Sequence, residues 1–166
     1  MTDPDPQQLL RAQVVALLQG GQAHMGFAAA VADFPPALIN ARAPRVPYTF
    51  WHLVEHVRLA QADILDYLTN PAYHAPTWPQ DYWPPREAQA TPDTWAASIA
   101  ACQRDLDALV ALVADPRTDL FAPVPSNSAH TVLREALLVA DHNAYHTGEL
   151  AILRQVAEAW SPAREV

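Results

Sequence analysis

The chain contains no lysine. That absence removes Schiff-base catalysis, lysine-anchored pyridoxal phosphate and the lysine of a phosphate-binding P-loop. It contains one cysteine, Cys102, so an internal disulfide and cysteine-rich zinc or iron–sulfur sites are excluded. Cys102 sits in a helix-like stretch between Ala101 and Leu106, where a small core residue is expected. No apolar run reaches the ~18 residues of a membrane-spanning helix. The opening MTDPDPQQLL lacks a basic segment ahead of an apolar one, so no secretory leader is expected and the cytoplasm is the expected location. Basic runs are missing too. The arginines are scattered and the formal net charge is −8, so neither nucleic acid nor a membrane is expected as a partner. The GxSxG, GxGxxG, P-loop and HExxH motifs are all absent. No histidine has a glutamate three residues before it, which excludes the di-iron bundle signature.

What is present is a globular, helical pattern. Half of the residues are apolar (51%) and 17% are charged, so a chain of 166 residues can bury a core. It reads as one domain over residues 1–166. Four helical segments are expected. The first opens with Asp5 as N-cap, Pro6 at the first position and Gln8 in a capping box. It runs to about Asp33, with a kink or short break at Gly20-Gly21. The second opens at Thr49 and carries the stripe Leu53, Val57, Ala60, Ile64, Leu68. The third opens at Thr91-Pro92 and stops at Asp115-Pro116, and the fourth runs from about His130 or Thr131 to Ala159. No strand is expected. The reading is an all-α four-helix bundle with long crossovers at 34–48 and 70–90. The second crossover is rich in proline and aromatics, so it should pack over the bundle end, and it can also wall a substrate pocket.

The reactive chemistry lies in the histidines. His52 and His56 are four apart on one expected helix, and His142 and His146 are four apart on another. That spacing places both rings of a pair near one helix face. His56, His142 and His146 fall on the inward stripes, where an unpaired imidazole would be costly. Three neutral nitrogens from two helices suit Zn²⁺ or a similar divalent ion and leave a fourth position open, as in catalytic sites. His52 falls at the third position of its helix, which suggests a capping or exposed role instead. His24 is expected in the core or behind a ligand, and His74 and His130 have no metal role. Glu55, Asp141 and Glu149 stand near enough in sequence to orient a ligand ring.

The segments YTFWHLVEHVRLAQADIL (48–65), DYWP (81–84), HTVLREALLVADHNAYHTGEL (130–150) and GGQAHMGFAAAVADFP (20–35) resemble the DinB/YfiT-like superfamily of bacterial metalloenzymes. The resemblance implies a bundle of up-up-down-down order, often dimeric, so a homodimer is expected. It implies a metal triad of His56, His142 and His146, with zinc or nickel the leading ions. It also implies a small-molecule substrate and a thiol-dependent S-transferase activity using bacillithiol or another low-molecular-weight thiol. Two alternatives stay open: a hydrolase using metal-activated water, and a non-enzymatic stress or metal-binding module.

Overall fold

The computed structural model describes residues 5–160. Helix α1 spans Pro6–Gln19. Asp5 caps it by accepting the Gln7 N–H at 3.0 Å, so the cap bond goes to the second position and not to Gln8. The helix then stops. Gly20 and Gly21 take φ of +66° and +75°, a left-handed backbone that a right-handed helix cannot continue. The chain becomes helical again only at α2, Phe27–Val31, so the expected segment to Asp33 is two helices with a gap between them.

Helix α3 spans Phe50–Thr69, α4 spans Pro92–Ala114 and α5 spans Val132–Val156. Each has a threonine N-cap: Thr49 accepts from His52 N–H, Thr91 from Thr94 N–H and Thr131 from Arg134 N–H. Single 3₁₀ turns occur at Pro36–Leu38 and Gln80–Tyr82. A small antiparallel hairpin, β1 at Pro123–Val124 and β2 at Asn127–Thr131, precedes α5. It was not expected, because a two-residue strand broken by prolines carries no readable alternation.

Side-chain bonds fix the helix directions. Arg11, early in α1, donates to the carbonyls of Val113, at the far end of α4, and Thr118, just beyond it, so α1 and α4 are antiparallel. Trp51 bonds Ser98 and Gln61 bonds Cys102, so α3 and α4 are parallel. Tyr48 meets Glu149, His56 meets His142 and Tyr67 meets His130, so α3 and α5 are antiparallel. In chain order the long helices run up, down, down, up, which corrects the up-up-down-down order. The first crossover stays at one end of the bundle, packing Phe34 and Ile39 with Trp51 and Trp95, and the chain reverses there. The second crossover returns the full length of α3, and this is what makes α3 and α4 parallel.

The buried residues form two apolar clusters. One gathers Phe34, Phe50, Trp51, Leu53, Val54, Trp95 and Leu150. The other gathers Val14, Leu18, Leu109, Val113, Leu120, Ala136 and Val139. Between these levels α3 and α5 face each other with His56, Gln61, His142, Asn143 and His146. Cys102 is buried, as expected, and burial pushes its thiol up to about 12, so it is inert at neutral pH. Arg154 is 0% exposed and donates to the carbonyls of Ala30, Ala32 and Ala159, locking α2 and the chain beyond α5 onto α5. No helix among the described residues is long and apolar enough to cross a membrane.

Candidate metal centre

Local rules set the position of each ring. Thr49 starts α3 through a reciprocal capping box with His52, and His56 follows one turn later on the inward face. Helix α5 runs unbroken through residues 142–146, so its two histidines stack one turn apart. The antiparallel α3–α5 contact then brings the three together. One ligand nitrogen from each of His56, His142 and His146 lies within 4.8 Å of the others, a grouping that can hold a metal ion. The His56 and His142 Nε2 atoms are 3.2 Å apart. Two nitrogens at 2.0–2.1 Å from one tetrahedral ion would be ~3.3 Å apart, so this edge already has the spacing of a shared ligand pair.

Each ring is oriented from behind. His56 Nδ1 donates to the Tyr82 carbonyl at 2.8 Å, leaving Nε2 as the forward lone pair. Trp83 lies flat on the other side of the His56 ring, with centroids 3.9 Å apart and planes at 4°. His146 Nδ1 bonds Glu149 Oε2 at 2.7 Å, and Tyr48 O–H donates to the other oxygen of the same carboxylate. Behind His142 stands an amide ladder. Gln61 Nε2 donates to the Cys102 carbonyl at 2.6 Å, and Asn143 Nδ2 donates to Gln61 Oε1 at 2.7 Å. A carbonyl only accepts, so the polarity of this ladder is forced, and the buried Asn143 Oδ1 takes no partner within the ladder and interacts with the His142 ring, whose pKa it raises. A His142 ring turning Nε2 to an ion must place its proton on Nδ1, and that proton needs an acceptor. The Asn143 oxygen, next in the chain, is suited to that task.

The electrostatics keep the donors available. Burial pulls the His56 pKa below its ordinary value, partly offset by the Tyr82 carbonyl, with His146 lowering it further. Burial first, then His146 and His56, pull His142 down to about 4. Both rings are neutral at pH 7, the state a metal requires. Burial alone would raise the Glu149 pKa, but the bonds from His146 and Tyr48 outweigh it, and the carboxyl stays ionised below its usual range.

The remaining candidates sort differently. His52 is a cap, as expected, but it is buried and not exposed. Its Nδ1 accepts the Thr49 N–H at 3.3 Å and its Nε2 donates to the Ala88 carbonyl at 3.0 Å, so neither nitrogen is free for a metal. His24 is neither helical nor buried. It lies exposed just beyond the glycine break and bonds only the neighbouring Met25 carbonyl, so the core or supporting role is withdrawn. His74 is exposed, and His130 lies on β2 against Tyr67 and Glu135. Of the three acidic candidates only Glu149 reaches one of the three clustered histidines. Glu55 pairs with Arg58 and Ser98, and Asp141 is exposed. Sequence reasoning did not find Tyr82, Asn143 or Gln61. A backbone carbonyl has no residue signature, and the amide ladder joins positions more than forty residues apart. The only available signal was the aromatic crossover itself.

The arrangement defines a class: a helical bundle whose facing helices present a cluster of three histidines that could hold a metal ion. Residues 19–150 match the DinB superfamily, and the chain belongs to that superfamily. No curated protein and no solved structure matches it.

Proposed function

We propose that His56, His142 and His146 hold a divalent transition ion, zinc or nickel, and that the protein is a metal-dependent enzyme. Its reaction on this reading is transfer of a low-molecular-weight thiol, such as bacillithiol, to small electrophiles. The observation that carries the proposal is the convergence of three imidazole nitrogens within 4.8 Å, two of them held behind by specific acceptors. Three protein donors leave room for one exogenous ligand. A bound ion would lower the pKa of a thiol, making its sulfur a nucleophile near neutral pH.

The residues of the chain do the rest. The Tyr82 carbonyl and Trp83 hold His56, and Glu149 holds His146. Trp78, 66% exposed and edge-on to His56, offers an apolar wall beside the rings. Glu149 already accepts from both His146 and Tyr48, so it is committed as an orienting group.

Elemental analysis and zinc titration of the wild type beside His142→Ala test the site. About one ion per wild-type chain, lost in the variant, is expected. Metal-loaded protein is then given bacillithiol with a chloro-aromatic or epoxide panel. Turnover absent from His56→Ala supports the proposal. Turnover of esters or amides in water alone would replace it with hydrolysis, and metal binding with no turnover would leave a metal-binding module.

A further inference from the structure

The second crossover is held against one stripe of α3, and the spacing of that stripe is regular. His52 bonds the Ala88 carbonyl, and His56 bonds the Tyr82 carbonyl. Asp63 accepts the Tyr82 hydroxyl at 2.6 Å on one oxygen and the Tyr73 hydroxyl at 2.8 Å on the other. Tyr67 packs edge-on to Tyr73 at 4.9 Å. Positions 52, 56, 63 and 67 are separated by four, seven and four residues, one helical face. The crossover therefore runs antiparallel along α3, from residue 73 at one end to residue 88 at the other.

Within this strap Asp63 has a singular position. Its carboxylate takes two phenols nine residues apart in the loop, Tyr73 and Tyr82. The same residue, Tyr82, gives its hydroxyl to Asp63 and its carbonyl to His56. Trp83, next in the chain, is the ring stacked on His56. Releasing the Tyr82 hydroxyl therefore loosens both groups that orient His56.

We propose that Asp63 is a positioning residue of the histidine centre: by clamping Tyr73 and Tyr82 it holds the Tyr82 carbonyl and the Trp83 ring against His56. This rests on the metal-site reading above for its consequence, though the clamp itself is a property of the protein without an ion. Partners behind a ligand are typically worth 10–100-fold in metal affinity. Asp63 acts at one remove, so an effect near the lower end, about tenfold, follows.

The test uses the full chain. Asp63→Asn and Tyr82→Phe are each compared with wild type in zinc affinity, by chelator competition, and in the exchange of the His56 Nδ1 proton, by ¹⁵N NMR of the metal-free protein. Both variants should bind zinc about tenfold more weakly and exchange that proton at least several-fold faster. The two effects should not add in the double variant, because both remove one linkage. Asp66→Asn, which alters a neighbouring acid bonded to Asn70, should leave both readings unchanged. A merely structural Asp63 would lower the unfolding midpoint and leave the NMR reading of the folded protein as in wild type. Unchanged proton exchange in folded Asp63→Asn, or in Tyr82→Phe if the former does not fold, overturns the proposal. Faster exchange in the variants, alongside a wild type that takes up no zinc, would keep the clamp and overturn the metal reading instead.

Discussion

Glu149→Gln is the sharpest single test of how the centre is built. In the wild type one carboxylate serves two donors, His146 Nδ1 at 2.7 Å and the Tyr48 hydroxyl. A glutamine of the same shape offers one acceptor oxygen, so its NH₂ must face one of those donors. His146 loses either its acceptor or its fixed angle. A lost orienting carboxylate costs roughly 10–100-fold in metal affinity, or about 1.4–2.7 kcal/mol. Because an ion that binds only the folded state stabilises it by mass action, the stabilisation gained from saturating zinc should shrink by the same amount. In a domain of this size about 1 kcal/mol moves Tm by ~2–4 °C. The zinc-induced rise in Tm should therefore be smaller than in wild type by roughly 3–10 °C. Chelator competition gives the affinity, and melting with and without zinc gives the shift, so any change in the metal-free fold cancels. Tyr48→Phe, which leaves the carboxylate wholly to His146, should change affinity by less than about threefold. Wild-type affinity in Glu149→Gln would refute the assignment of Glu149 as the group that orients His146.

Three further outcomes are expected. Arg154→Met removes a fully buried guanidinium from the carbonyls of Ala30, Ala32, Asp33 and Ala159 and should cost about 3–5 kcal/mol in urea unfolding; a loss below ~1 kcal/mol would contradict the lock it forms between α2 and α5. Gln61→Leu leaves the Asn143 amide without its acceptor, while the Cys102 carbonyl keeps its bond within α4; this predicts a loss of about 1–3 kcal/mol, read from the same unfolding curves, together with weaker zinc binding through His142. Metal-free protein should lose stability on acidification. The His142 pKa is lower folded, at about 4, than unfolded, near 6.5, so the unfolded chain binds more protons between those values. The stabilisation is complete above pH 6.5 and fades as pH falls towards 4. After discounting the shift for partial exposure it is on the order of 2 kcal/mol. His142→Asn should flatten that slope in pH-resolved unfolding, and an unchanged slope would count against the cause.

Much of the fold is legible because its signals are local. Asp5-Pro6, Thr49 and Thr91-Pro92 cap the helices they are expected to cap, and the last helix starts at Thr131, within its expected range, since a cap depends on residues within one turn. The three candidate ligands are legible for the same reason: four-residue spacing on an apolar stripe turns two rings inward wherever a helix forms. His52 could be separated from them by its capping position alone. His24 could not be placed, because its environment depends on where the glycine break sends the chain. Helix order was misjudged because direction depends on which crossover spans the bundle, and length does not say.

The sequence by itself determined the helices, their inward faces and the three imidazoles that face the core, through propensity, periodicity and capping that act over a few residues. Only the tertiary structure decided that α3 and α5 meet antiparallel. It alone decided that a returning loop lends a carbonyl and an indole to His56, that Glu149 is shared with Tyr48, and that a forced amide ladder ends beside His142. Those contacts join residues tens of positions apart, and many through backbone atoms common to every residue. Their cause is the packing of whole elements.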